Sequence, residues 1–153
     1  MYYRFGKVFY FFSVLVFLIA LLFFYAALPE QIGFRLDDQG ILLRDFAKST
    51  FFYGLAFGFL VLNLITIYTP KTLETKANRK LHRLFPIGDP YRDYLLTWFY
   101  SFGGWVNLSL SLAGLFVHAI NNQEFISASA YNFWFLLMPI VLFVWVGALF
   151  VLL

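Results

Sequence analysis

Two histidines, a pair of adjacent aspartates, and a few amides and hydroxyls set inside apolar runs are the residues of this chain whose types invite chemistry. Imidazoles such as His82 and His118 are what a helical bundle uses to hold a haem iron from both sides. A helical span of about 25 residues, at about 1.5 Å per residue, separates their levels by most of a bilayer. One metal cannot take both, and no cofactor is expected. Asp37 and Asp38, followed by Gln39 and Gly40, raise a calcium loop, but such a loop needs oxygen ligands at alternating positions and a distal bidentate Glu. Those are missing, so the aspartates read as solvated turn residues and no metal is expected. The absence of cysteine removes disulfides, thiolate metal sites and cysteine nucleophiles. No nucleophile and base with a supporting carboxylate, no glycine-rich phosphate loop and no zinc spacing is present in the sequence. The reading is therefore not an enzyme, with no nucleic-acid partner and no small-molecule substrate inferred.

The elements that must carry these residues are set by composition. Of 153 residues, 62% are apolar, 24% aromatic and only 12% charged, with a mean hydropathy of +0.78. A soluble domain carries about twice that share of charge, and here the apolar residues form long unbroken runs, as lipid-solvated segments do. Four spans are expected, at about 8–27, 51–69, 94–118 and 131–153, joined by loops 28–50, 70–93 and 119–130 in a single membrane domain. Together they leave little of the chain for a soluble catalytic domain. The first span has a basic flank, Arg4 and Lys7, like a signal peptide, but it is too long for one and its Tyr25-Ala26-Ala27 exit is a poor cleavage site. It reads as an uncleaved anchor. Pro70 is expected to end the second span, and Asp89-Pro90 to start the helix of the third. The fold class is all-α integral membrane, a four-helix up-and-down bundle.

Lysine and arginine set its orientation. The N-terminus and the 70–93 loop hold Arg4, Lys7, Lys71, Lys76, Arg79, Lys80, Arg83 and Arg92, against Arg35, Arg44 and Lys48 on the other side. Both ends of the chain are thus expected in the cytoplasm, in a bacterial inner membrane. The 28–49 loop alternates through Ile32, Phe34 and Leu36, turns at Asp37 to Gly40 and continues with Ile41 to Leu43, the pattern of a small hairpin. A lone hairpin is marginal in water. Its apolar face must rest on helix ends or on a partner, which makes Arg35, Asp37, Asp38, Arg44 and Lys48 candidate partner-binding residues. In the cytoplasmic loop, apolar residues at helical spacing between Lys71 and Phe85 predict an amphipathic helix, with Lys76, Arg79, Lys80 and Arg83 on other faces. Those four could rest on lipid headgroups at about 1 kcal/mol each, although enforcing topology alone accounts for them.

No Asp, Glu, Lys or Arg falls inside the four spans as drawn, which argues against a proton pump, an ion-coupled transporter or a voltage sensor. Asn63, Asn107, Ser109 and Ser111 remain, and interhelical hydrogen bonds of about 0.6 kcal/mol each are their expected use. Gly54 with Gly58, and Ser109 with Ala113, form small-residue ridges that allow helices to approach closely. Whether the neighbour lies in the same chain or in another is not encoded locally.

The run Leu28-Pro29-x-x-Ile32, then Gly40, then Lys48 before an aromatic-rich second helix, resembles the domain of unknown function at the N-terminus of SdpI-type membrane proteins. The resemblance covers about residues 8–69. Arg35 stands where that family has a histidine and Gly33 where it has a second proline, so no role that needs the imidazole carries over. The resemblance implies an immunity or sensing protein that recognises an extracytoplasmic peptide or toxin. From the residues themselves the leading expectation is a non-catalytic accessory or scaffolding subunit that contacts membrane lipids and other integral membrane proteins. A small channel or lipid-modifying enzyme stands last, because it would need Asn63, Asn107 and Ser111 to converge on one wet cavity.

Overall fold

A computed structural model of the chain describes residues 3–36, 42–43, 46–75, 79–122 and 129–152. It is built from four long helices, α1 (Tyr3–Ala27), α2 (Lys48–Glu74), α4 (Pro90–Asn121) and α5 (Ser129–Leu152), with the short α3 (Arg79–Leu84) between α2 and α4. Three of them, α1, α2 and α4, are long and apolar enough to cross a membrane. In α5 the apolar stretch is Leu136–Val151.

Side-chain pairings fix how the helices run. Gly6 faces Thr97 and Gly114 faces Phe24, so α1 and α4 are parallel. Phe17 stacks on Phe59 at 4.2 Å and Lys7 meets Glu74, so α2 is antiparallel to both. The Trp98 indole donates to the Trp145 carbonyl at 2.7 Å, and α5 returns antiparallel to α4. The order is up-and-down, with α4 at the centre. On one flank α4 takes α1 and α2, and on the other α5. Three small apolar clusters stack along the α1–α2–α4 seam: Tyr10, Leu73, Leu96 and Tyr100; then Phe17, Leu21 and Phe59; then Phe24, Leu28 and Ile32.

Local chemistry explains the start of α4. The Asp89 side chain accepts the Tyr91 amide at 2.9 Å and Pro90 occupies the first helical position, where its missing N–H costs nothing. Two boundaries differ from the sequence expectation. Pro70 does not end α2, which runs on to Glu74. Proline removes one hydrogen bond from the ladder, but the turn after it is held from outside: Leu73 is buried against Tyr10 and Leu96, its carbonyl accepts from Arg92 Nη2 at 2.8 Å, and Glu74 pairs with Lys7. As a result Lys71 belongs to α2, and of the amphipathic helix expected from Lys71 to Phe85 the described residues beyond α2 show the six of α3.

Between α1 and α2 the chain forms the hairpin. Strands β1 (Gln31–Ile32) and β4 (Phe46–Ala47) pair antiparallel, as do β2 (Arg35–Leu36) and β3 (Leu42–Leu43). Both ladders keep one register, so this is a single ribbon interrupted on its first arm by Gly33 and Phe34. Ile32 is fully buried in the cluster with Phe24 and Leu28, which is the seat on the helix ends that an isolated ribbon needs.

Candidate functional site

The polar side chains of the helices converge on one seam. Tyr10 Oη donates to Asn63 Oδ1 at 2.7 Å. Asn63 Nδ2 donates to Asn107 Oδ1 and to its own helix at the Phe59 carbonyl, both at 2.8 Å. Asn107 Nδ2 donates to Ser13 Oγ at 3.2 Å, and Ser13 in turn donates to the Tyr10 carbonyl at 2.7 Å. Ser111 donates to the Asn107 carbonyl at 3.0 Å. Asn107 and Ser13 are 0% exposed, and both hydrogens of the Asn63 amide are spent within the chain. In apolar surroundings, where an orphaned amide is costly, this arrangement fastens three helices in one register. Its groups are engaged with one another rather than displayed to a substrate. By sequence Tyr10 falls with Tyr2 and Tyr3 where an inner aromatic belt belongs, whereas Ser13 carries no such mark. Ser13 is the only hydroxyl between Tyr10 and Tyr25 on α1, and that isolation was the available signal.

Glycines divide into two sets. On α4, a Cβ at Gly114 would lie 2.3 Å from the Phe24 ring, and one at Gly104 would lie 2.5 Å from the Phe9 ring. Both aromatic rings of α1 therefore press directly on the α4 backbone. On α2, a Cβ at Gly54 or Gly58 would meet nothing within 4 Å. That ridge packs on no other described part of the chain. Of the second ridge, Ser109 donates to the Trp105 carbonyl of its own helix at 2.8 Å, and Ala113 is half-buried.

The hairpin is fixed to α4 by one residue that the sequence did not mark. Asn121 Oδ1 accepts the Gly33 amide at 2.9 Å while its Nδ2 donates to the Gly33 carbonyl at 3.0 Å, so a side-chain amide completes the interrupted strand as a neighbouring peptide would. A second bond from Nδ2 to the Val117 carbonyl, at 2.9 Å, holds the amide in place. Glycine at 33 is required by close approach, because a Cβ there would sit 2.0 Å from the Leu43 carbonyl oxygen. Lys48 locks the ribbon's base: its amide donates to the Glu30 carbonyl, its ammonium lies 2.9 Å from Glu30 Oε1, and it stands 5.2 Å over the Tyr25 ring. Placed among the partner-binding residues by sequence, Lys48 is engaged inside the chain.

Of the other residues in that set, Arg35 has its backbone in β2, and its side chain lies outside the described residues. Asp37, Asp38 and Arg44 lie outside them altogether. So does Lys76 of the basic set, while Arg79 is described in backbone only; Lys80 and Arg83 are exposed on α3. What the structure does bring to the hairpin side of α2 is apolar. Phe34, Phe46, Thr50, Phe51, Gly54 and Leu55 line a groove of about 330 Å³, with Phe34 and Phe46 stacked edge to face at 5.2 Å. It runs into the open Gly54 and Gly58 ridge.

At the opposite end, Lys7 Nζ lies 3.0 Å from Glu74 Oε1 and 5.4 Å over the Tyr100 ring. The buried Arg92 reaches the Leu73 carbonyl. These charges sit in the terminal turns of α1, α2 and α4, and tie the end of α2 to its neighbours. His118 faces the Phe23 ring at 5.1 Å, and its Nδ1 accepts from Asn122 Nδ2 at 3.0 Å. Among the described residues, no three of His, Cys, Asp and Glu come together as metal ligands would. Searches against protein-family models, characterised proteins and solved structures match nothing to this chain.

Proposed function

We propose that this protein is a non-catalytic integral membrane module, an accessory or scaffolding subunit that binds other membrane proteins through the open face of α2 and the adjoining hairpin. In this reading α1, α2, α4 and α5 cross a bacterial inner membrane, both chain ends face the cytoplasm, and the hairpin stands outside. Lys76, Arg79, Lys80 and Arg83 then meet the inner headgroup layer. The observation that carries it is the Gly54 and Gly58 ridge. Helix association in lipid runs on close backbone approach at small residues, and this ridge is left without a partner among the described residues. Only 6% of the apolar stretch of α2 is buried, against 28% for α1 and 39% for α4, so of the three helices that make the polar seam α2 has most surface to offer. The test is purification of the full chain in mild detergent, as wild type and as Gly54→Leu with Gly58→Leu. The wild type should co-migrate with a membrane protein and the double variant should run alone with an unchanged melting temperature. A wild-type chain that purifies alone as a monomer overturns the proposal.

A second reading rests on the clamp at Asn121. A ribbon held in a fixed position on the helix ends suits recognition of an extracytoplasmic peptide or toxin by Arg35, Asp37, Asp38 and Arg44, the role that the resemblance to SdpI-type proteins implies. Replacing those four together in a strain that depends on the protein should raise toxin sensitivity; unchanged sensitivity removes this reading.

A further inference from the structure

Helix α4 ends in two asparagines that each reach back four residues. Asn121 Nδ2 donates to the Val117 carbonyl at 2.9 Å and to the Gly33 carbonyl at 3.0 Å, and Asn122 Nδ2 donates to the His118 carbonyl at 2.9 Å and to His118 Nδ1 at 3.0 Å. We propose that His118 is a pH-operated latch: its neutral ring closes this last turn and so holds the Asn121 clamp on the hairpin, and protonation of the ring lets the hairpin go. The latch stands on contacts within the chain. Only the compartment whose pH it reads, the extracytoplasmic one, depends on the topology given above.

Hydrogen bonding dictates which form of the ring fits. A flipped Asn122 amide would set its oxygen against the His118 carbonyl, so the group that faces Nδ1 is an N–H. Nδ1 must then be the bare nitrogen of the imidazole and Nε2 the one that carries hydrogen. A proton added to Nδ1 points one N–H at another, and Asn122 must turn away from the ring. What remains at the helix end is the Asn122 backbone amide on the Ala119 carbonyl, at 3.3 Å. Asn121 sits one residue back on the same turn, so the amide that completes the first arm of the ribbon loses its seat. Burial works in the same direction. His118 is 6% exposed against the rings of Phe23 and Phe24, at 5.1 and 6.3 Å, and a charge there gives up its hydration. The negative end of the α4 dipole and the aromatic rings attract a cation, which keeps protonation within reach without restoring the lost acceptor. Among the described residues no charged side chain pairs with His118. Tyr25, Glu30 and Lys48, the titratable groups at this end of α1 and the hairpin, are engaged with one another. Helix α5 carries no charged residue, and the side chains of Arg35, Glu124 and Tyr131 lie outside the described residues.

The experiment follows hydrogen exchange of the full chain in detergent micelles at about pH 7.5 and about pH 5, on either side of the ordinary imidazole titration at about 6.5, with each rate divided by its intrinsic value at that pH. Protection at Gly33 and across residues 31–36 is expected to fall by about five-fold at the lower pH, as loss of one hydrogen bond gives, while α1 around Phe17 and α2 around Phe59 keep theirs. In a His118→Gln chain, which has no titrating ring at that position, protection should be the same at both values. Wild-type protection that ignores pH overturns the proposal. So does a fall of equal size in H118Q, which would assign the effect to a carboxylate such as Glu30. A second measurement uses 15N-labelled histidine in a His82→Gln chain, where His118 is the one imidazole left. Its Nδ1 should resonate as an unprotonated nitrogen at the higher pH and as a protonated one at the lower, and hydrogen on Nδ1 at the higher pH overturns the proposal even when H118Q does not fold. A chain that purifies without a partner removes the accessory-subunit reading and leaves this test untouched.

Discussion

The same residue type does opposite things on α4 and α2. Gly104 and Gly114 of α4 are pressed by the rings of Phe9 and Phe24, whereas Gly54 and Gly58 of α2 face open space. Helix α4 holds the others together: it contributes Asn107 to the polar seam, Asn121 to the hairpin clamp and Trp98 to the contact with α5. Helix α2 gives the seam Asn63 and leaves its glycine ridge unused. Small residues on a membrane-type helix therefore mark a close approach only when a neighbour's bulk is present to complete it. Where it is absent they mark a surface offered to something else.

Gly114→Leu tests the packed side of this contrast and should have the largest effect. Phe24 is 2% exposed and has no room to retreat, so overpacking should cost about 3 kcal/mol, read as a lowered unfolding midpoint of the full chain in detergent. A loss no greater than that of Gly54→Leu would erase the distinction between the two helices. Asn107→Ala comes next. It leaves one N–H of the Asn63 amide without an acceptor in an apolar interior and removes the donor to Ser13 Oγ, and about 2 kcal/mol should be lost, again in the unfolding midpoint. An unchanged midpoint would mean that the seam contributes nothing to registering α1, α2 and α4.

Asn121→Ala should cost about 1 kcal/mol globally, but its sharper mark is local. Backbone hydrogen exchange at Gly33 and across the ribbon should rise by about five-fold, by the same free energy, while exchange in α1 and α4 stays put. Equal protection in variant and wild type would show that Ile32 alone seats the hairpin. Smallest are Gly54→Ala and Gly58→Ala. With nothing near either position, each should leave the isolated chain unharmed or stabilise it by up to about 1 kcal/mol through helix propensity. Destabilisation of the isolated chain would place a neighbour against that ridge after all.

Much of the frame was legible in the order of residues. The apolar runs located four helices, Asp89-Pro90 marked the start of α4, and the alternation around Ile32 and Phe34 announced the ribbon. Asn63 and Asn107 stood out because an amide among apolar residues must find a partner, and they find each other. Other features were not legible. Pro70 carries a local signal to stop, and α2 passes it because Leu73, Arg92 and Glu74 make contacts with residues remote in sequence. Asn121 is one polar residue among several at a helix end, and its partner Gly33 is 88 positions away.

Sequence by itself determined where the chain is apolar, where helices begin and which few polar groups require satisfaction, since those depend on each residue's own solvation and on its near neighbours. Tertiary structure alone decided which glycines are covered, which amide clamps the ribbon and which helix is left with an open ridge. Helices that are apolar all round carry no periodic mark of their inward side. Their faces are assigned only when side-chain shapes from distant segments meet.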